Sequence, residues 1–406
     1  MREYGTPLYV FDEDGLRASC RAYRQAFAAG RARSVVAYAV KAFGTVEMVR
    51  LAHGEGLALD VASIGELALA RAAGVPLGSV TFHGVAKQPA EMEAAVRAGV
   101  GHVAIDALEE VHELAEISRR VGRRQPVLVR INLDTAVPTD PRYRTSGADC
   151  KFGISVADGS ARLAVEQARA ATHLRLDGLH FHLGTQLMTA EPYVEAMRCM
   201  AGFLGQLDGW RPERIVVGGG MGVQYGTGPS APTPGYWAEA IIATFTELVE
   251  PLCAPDVVLG VEPGRSVVAE HGSMLYRVGT VKPRGDRPGE VIAVVDGGLS
   301  DNPRPLMYSA THQVCLASRP DAQPAVVAHI YGRHCETDLL FGDVALPAFT
   351  RGDILLVRTT GAYTHCMASN YNRFLRPAVV FAAGGRSRLV VRRETPEDLL
   401  RTEVHA

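Results

Sequence analysis

The chain has 406 residues, of which 47% are hydrophobic and 21% charged, and its net charge is −2. Such a length accommodates roughly two or three domains with sizeable buried cores. The near-neutral balance offers no basic footprint for nucleic acid or an anionic membrane, and no apolar run approaches the roughly 20 residues of a membrane span.

The N-terminus, MREYGTPLYVFDED, lacks the basic and apolar blocks of a signal peptide. The cysteines are Cys20, Cys150, Cys199, Cys253, Cys315, Cys335 and Cys366. They are odd in number, scattered and free of any CxxC pair, which argues against a disulfide framework and a zinc site. A reduced, cytoplasmic setting is expected. The 13 histidines include no HExxH, and no metal is expected.

In chain order, residues 7–11 alternate as a short strand. Asp14 is a candidate N-cap for a helix with Leu16, Cys20, Tyr23 and Phe27 on one face. A repeating pattern follows. A strand over 35–40 precedes a helix through Met48, Val49 and Ala52. A strand over 57–61 precedes a helix opened by the capping box Ser63-x-x-Glu66 and stopped at Gly74. Strands over 79–83 and 102–106 lead into helices ending at Gly99 and Gly122. A fifth strand, 126–132, runs into a long polar loop over 133–150 and a helix near 161–171. Strands over 174–183, 214–217 and 257–261 complete the series, with helices near 192–207 and 236–252 between them.

Eight strand–helix alternations predict a (β/α)8 barrel over residues 31–265. Beyond it the texture changes. Strand-like runs near 275–281, 291–295, 325–330, 354–358, 378–382 and 389–392 are separated by Gly, Pro and Asp turns. Residues 266–406 therefore read as a mostly β domain that also takes residues 1–30.

At the expected C-terminal ends of the barrel strands stand Lys41, Asp60, His83, Asp106, Asn132, His182, Gly218–Gly220 and Glu262. That face carries the active site in such barrels. A lone lysine after a buried strand more often snorkels to water, but a partly desolvated one forms an imine with an aldehyde. Gly218-Gly219-Gly220 with Gly222 suits a phosphate-binding turn, or simply a tight turn. Val223 stands where a dinucleotide fingerprint needs its third glycine. In Glu262-Pro263-Gly264-Arg265 the acid and the arginine could form an ion pair. Alternatively, Arg265 holds a phosphate while Glu262 holds the proton of a pyridinium nitrogen. Alternation turns His180 and His182 the same way, as core residues or, for His182, as a ring lying over a cofactor ring. Lysine, phosphate cradle, acid and flat ring together describe a pyridoxal 5'-phosphate site.

The segments YGTPLYVFD, YAVKAF, GLHFHLGTQ, GGGMGVQY, EPGRSVVA, DGGLSDNPRPLMY, CETD and GAYTHCMASNYN span nearly the whole chain. They resemble the fold-type III pyridoxal-phosphate decarboxylases, and most closely the diaminopimelate decarboxylases. The resemblance implies an alanine racemase/ornithine decarboxylase-like barrel with a β-rich C-terminal domain. It implies that Lys41 is the Schiff-base lysine, that His182 stacks on the pyridine ring, and that Glu262 pairs with the pyridine nitrogen. Thr185, Gly218, Gly219, Gly220, Arg265 and Tyr363 hold the phosphate, and Asp60 and Gly264 are counted with these cofactor contacts. It further implies a homodimer with shared active sites, in which Cys335 donates a proton to Cα in trans and Glu336 contacts the substrate. Arg304, Tyr308 and Tyr363 match the family's substrate contacts.

The activity so implied is α-decarboxylation of an amino acid with a distal carboxylate. Meso-diaminopimelate, giving L-lysine and CO2, fits. The alternative is a decarboxylase of specialised metabolism acting on another carboxylated or carrier-linked amino acid. By the same resemblance, a racemase would place an arginine where Glu262 stands, and a regulatory homologue would lack the lysine or the phosphate contacts. Departures from the family's pattern are the loop over 134–150, Phe43 in place of asparagine, Thr337 in place of serine, and Ser300 before Asp301. They bear on the substrate more than on the reaction.

Overall fold

The structure, a computed structural model, describes residues 3–135, 145–147, 149–285 and 287–404. Most of the loop expected over 133–150 lies outside the described residues. The strand β1 (Leu8–Asp12) opens the chain. An alternation with helices follows: β2 (Ser34–Ala39), β3 (Ala58–Val61), β4 (Val80–Phe82), β5 (His102–Ile105) and β6 (Gln125–Asn132). It continues through the two-residue β7 (Ile154–Ser155), then β8 (Leu174–His180), β9 (Arg214–Val216) and β10 (Val258–Val261). Each of β2–β6 and β8–β10 pairs in parallel with two neighbours in the ring, β6 also with β7, and the β5–β6 pairing closes it. This is an eight-stranded barrel. Its strands are near-continuous apolar runs because both faces of each are covered.

The helices are punctuated by local chemistry. Thr45 Oγ1 accepts the Met48 N–H to open Val46–Gly54, and Ser63 Oγ accepts the Glu66 N–H at 3.2 Å to open Ile64–Ala72. Glu66 reaches back to the Ala62 N–H at 2.7 Å rather than to Ser63, one residue off a strict capping box. Gly99 (φ +77°) and Gly122 (φ +75°) end their helices in the left-handed conformation that glycine adopts without penalty. The first helix, Glu13–Gly30, is capped by Asp12 and not by Asp14: Asp12 Oδ1 accepts the Gly15 N–H at 3.1 Å. Leu16, Cys20, Tyr23 and Phe27 are all buried along it, as their spacing predicts.

Two expected elements are shorter. β8 stops at His180, where the chain begins to serve loops: Thr145 Oγ1 donates to the His182 carbonyl, and Gln186 turns to φ +62°. The helix expected over 236–252 is α-helical only over Pro234–Thr244. It widens over Phe245–Val249 and tightens over Glu250–Leu252, where Pro251 has no N–H to donate.

The β-rich part is a nine-stranded sheet containing β1 and eight further strands. These are β11 (Gly272–Pro283), β12 (Glu290–Val295), β13 (Val314–Leu316), β14 (Val326–Tyr331), β15 (Leu339–Leu346), β16 (Ile354–Val357), β17 (Ala378–Ala383) and β18 (Arg386–Val391). β1 runs antiparallel to β11 and parallel to β17, so the first strand of the chain sits inside the last sheet. β13 and β15 escape sequence reading. One has three residues, and the other is interrupted by Gly342-Asp343, with Asp343 at φ +52°.

Two compact units result. One holds Arg17–Val223 and Ala231–Val267; the other holds the residues up to Leu16, Gln224–Ser230 and those from Val268 on. The first helix thus crosses the division. Its later turns belong with the barrel, where the Tyr23 hydroxyl meets Ser266 Oγ at 2.7 Å.

Candidate active site

Lys41 lies in a single tight turn, Val40–Ala42, directly after β2. The turn is held because the Ala39 N–H donates to the Pro263 carbonyl at 3.1 Å. Gly264 packs against it so closely that a Cβ there would lie 3.0 Å from Ala39 Cβ and 3.1 Å from Ala42 Cβ. The need for glycine at 264 is therefore set by packing beneath the lysine. The Lys41 side chain is 42% exposed, but its ammonium is paired with Asp60, a carboxylate only 1% exposed on β3. This is not a lysine reaching for solvent alone.

Glu262 follows β10 and is buried. Its Oε1 lies 3.0 Å from His83 Nε2 and its Oε2 lies 3.0 Å from His180 Nε2. The two imidazoles pack at 4.7 Å between ring centroids, and His83 Nε2 is also 3.8 Å from Asp60 Oδ1. Burial by itself raises the Glu262 carboxyl, but His83 and His180 outweigh it and hold the group well below the usual carboxylate range. Burial lowers His180 to about 4, so its neutral ring donates to an ionised Glu262. These three side chains could also be grouped as cation ligands, their donor atoms all lying within 4.8 Å of one another. The hydrogen bonds to Glu262 already account for both Nε2 atoms. His83 was read from sequence only as a strand end and His180 only as a core residue; the pairing with Glu262 makes both part of the site.

His182 Nδ1 accepts the Gly219 N–H at 3.1 Å, which leaves the ring proton on Nε2. Burial first, then the charges of Arg130 and Lys41, keep this imidazole well below its ordinary pKa and so neutral. Arg130, another residue the sequence reading missed, is buried on β6. It lies 3.4 Å from Asp106 and 4.7 Å over the Phe152 ring. Its signal was an arginine at i−2 from Asn132, on the same strand face.

Past β9, Gly218 (φ +68°) and Gly220 (φ +113°) take conformations that side chains resist. Gly219 is needed for another reason: a Cβ there would sit 2.0 Å from the Glu262 carbonyl oxygen. The tight-turn reading is thus correct for this segment. It does not compete with a phosphate site: the turn packs on the Glu262 carbonyl, three residues before Arg265. Arg265 heads the short helix Arg265–Val268, and its Nε and Nη2 lie 3.3 and 3.2 Å from Thr185 Oγ1. Glu262 and Arg265 therefore have separate partners.

In the β-rich unit, Arg304 begins the helix Arg304–Tyr308 and is 3% exposed. Its guanidinium lies 5.1 Å from the Tyr308 ring and 5.9 Å from the rings of Tyr225 and Tyr363. A solvated loop arginine is excluded. Cys335 and Glu336 are exposed on the loop between β14 and β15. Among the departures, Phe43 is fully buried with its carbonyl accepting the Tyr38 hydroxyl at 3.0 Å, and Ser300 and Asp301 are buried. Thr337 is exposed, as is Asp149 among the described residues of the divergent loop.

The barrel residues fit pyridoxal phosphate. An amine stands beside a buried carboxylate, a second buried carboxylate is held anionic, a neutral flat ring is fixed by a backbone N–H, and an arginine and a hydroxyl meet at a helix start. Asp60 Oδ1 and His180 Nδ1 are buried with no hydrogen-bond partner among the described residues, polar atoms that a bound group or water would satisfy.

The family described as "Pyridoxal-dependent decarboxylase, pyridoxal binding domain" matches residues 13–269. The diaminopimelate decarboxylase of Mycobacterium tuberculosis is 40% identical over 419 residues, covering 99% of this chain and 92% of that protein. That of Actinosynnema pretiosum subsp. auranticum is 42% identical over 403 residues, covering 99% and 89%. A crystal structure of diaminopimelate decarboxylase from M. jannaschii in co-complex with L-lysine superposes with a TM-score of 0.92 at 31% identity, covering 100% of this chain and 93% of that one. Site geometry, sequence and fold agree over the full length, and the chain belongs to the diaminopimelate decarboxylase family of pyridoxal-phosphate-dependent amino-acid decarboxylases.

Proposed function

We propose that this enzyme removes the α-carboxyl group of meso-diaminopimelate to give L-lysine and CO2. The observation that carries the reading is Glu262, buried and kept ionised between His83 and His180. Glu262 would pair with the pyridine nitrogen of the bound cofactor and keep it protonated, which would favour decarboxylation over racemisation. Pyridoxal phosphate, when bound, supplies the electron sink for the pair left at Cα as CO2 departs.

Each residue then has a task. Lys41 is the covalent anchor and, as an amine, takes and returns protons beside Asp60. His182 offers a neutral ring face, while Arg265, Thr185 and Tyr363 bind the phosphate. Arg304 and Tyr308 recognise the distal carboxylate. A guanidinium caged by three aromatic rings is desolvated and pre-oriented, so its charge-assisted hydrogen bonds to a carboxylate are strong. Cys335 donates the proton to Cα and Glu336 contacts the substrate, both from the other subunit of a homodimer. Seven free cysteines support a reducing, cytoplasmic setting; among the described residues no helix is long and apolar enough to cross a membrane.

The test is CO2 release from a panel holding meso-diaminopimelate, lysine, ornithine, arginine and glutamate derivatives. Turnover is expected with meso-diaminopimelate and little with amino acids lacking a distal carboxylate. Faster release from lysine or ornithine would remove the substrate assignment, and faster release from a glutamate derivative would favour the specialised-metabolism reading.

A further inference from the structure

Cys335 and Glu336 are exposed, and an exposed loop is a poor place for groups that must meet a substrate in one geometry. The residues around them are unusually constrained. Asp338, three positions on, is 1% exposed, and its carboxylate accepts the Leu299 N–H at 3.1 and 3.2 Å. The same carboxylate meets His334 Nδ1 at 2.5 Å, and the Asp338 carbonyl accepts the Gly332 N–H at 2.7 Å. Gly298 and Gly332 leave the room it fills: a Cβ on either would lie 2.1 or 2.0 Å from Asp338 Oδ2.

The other side of the loop is held by the segment Tyr371–Arg373. The Tyr371 hydroxyl donates to Glu336 Oε1 at 2.5 Å, and the Cys335 N–H donates to Asn372 Oδ1 at 3.2 Å. His334 closes the ring. Its imidazole, buried against Asp338, stacks on Tyr371 at 5.8 Å with an interplanar angle of 18° and meets the Phe374 edge at 5.0 Å. Buried carboxylate, imidazole, phenol and Glu336 thus form one connected set of contacts.

We propose that Asp338, His334 and Tyr371 are positioning residues that present Cys335 and Glu336 in one fixed geometry, with the Tyr371 hydroxyl selecting the orientation of the Glu336 carboxylate. The inference rests on the reading of Cys335 as proton donor and Glu336 as substrate contact. Tyr371 acts through Glu336; Asp338 and His334 act through the backbone of the loop. Conformational freedom returned to the loop would raise the concentration of substrate needed for productive contact before it altered the fold.

A double-mutant cycle on the holoenzyme tests this. Tyr371→Phe removes one hydroxyl from a surface ring and is expected to raise KM roughly 5- to 20-fold with kcat little changed, in line with losing a charged hydrogen bond. In a Glu336→Ala background the same change is expected to add less than about twofold, because the carboxylate that accepts the hydroxyl is gone. Asp338→Asn is expected to lower kcat about tenfold, with little added loss in a Cys335→Ala background. Full additivity of Tyr371→Phe with Glu336→Ala would overturn the proposal. So would wild-type kinetics for Tyr371→Phe, whatever the folding of the Asp338 variant. Wild-type kinetics for both Cys335→Ala and Glu336→Ala would instead remove the underlying reading of the pair.

Discussion

Glu262 and His180 show how one buried hydrogen bond sets both chemistry and stability. His180 is lowered from 6.5 to about 4 by burial, so the unfolded chain binds its proton more readily than the fold does. Its contribution is present above pH 6.5 and is lost as pH falls toward 4, on the order of 3 kcal/mol over that window. Glu262, also lowered, acts in the same direction below its ordinary value of 4.5. The melting temperature of the apoprotein should therefore drop between pH 6.5 and 4, and His180→Gln should flatten the upper part of that drop in a calorimetric pH series. A profile unchanged by the substitution would place the acid sensitivity elsewhere. Arg304 is the other residue whose burial makes a claim. Arg304→Ala should raise KM for meso-diaminopimelate by roughly 30-fold, the equivalent of about 2 kcal/mol for a charged hydrogen bond. Any residual turnover of lysine should be nearly unaffected, and an equal effect on both substrates would sink the carboxylate clamp.

Turns matter more than strands at the next scale. The segment Gly218–Gly220 is pressed between the Glu262 carbonyl, Gly184 and His182, with no space for a side chain. Gly219→Ala should force the β9 and β10 ends apart, costing about 1–3 kcal/mol as an overpacked site. Because the Gly219 N–H also fixes His182, cofactor affinity should fall with it. Equilibrium dialysis with pyridoxal phosphate, alongside thermal melting, separates the two effects; unchanged values in both would show that the turn can relax. The helix caps follow the same logic at smaller magnitude. Asp12 rather than Asp14 opens the first helix because the cap must precede the first helical residue, and only Asp12 does so.

For the whole molecule, a lysine anchor in the barrel unit and the Cys335–Glu336 pair in the β-rich unit make subunit exchange informative. If sites are shared across a homodimer, mixing Lys41→Ala with Cys335→Ala protein should restore activity, up to roughly a quarter of wild type for random hybrids with one intact site. Each variant alone should stay near background. No recovery after exchange has been shown by mass would mean that each subunit completes its own site. Lys41→Ala should also lack the visible absorption of covalently bound cofactor, a check that does not depend on turnover.

Much of this was legible in the chain. Eight apolar runs with helical punctuation define a barrel because parallel strands are buried on both faces, and Lys41, Asp60, His83 and Glu262 stand at or just past their ends. The segments around them carry the family resemblance. Sequence missed the β13 and β15 strands, one too short and the other broken by a left-handed Asp343, since sheet pairing there is decided by distant partners. Nor does the sequence say that Phe43 and Ser300 are buried. Lys41, Glu262 and Arg265 as candidate chemical groups belong to the sequence by itself. That Glu262 is shared by His83 and His180, that Arg304 is caged by three tyrosines, and that Glu336 is gripped by Tyr371 were decided only by tertiary structure. Apart from Arg304 and Tyr308 on one helix, these contacts join side chains 35 or more positions apart, and no local periodicity encodes a contact of that kind.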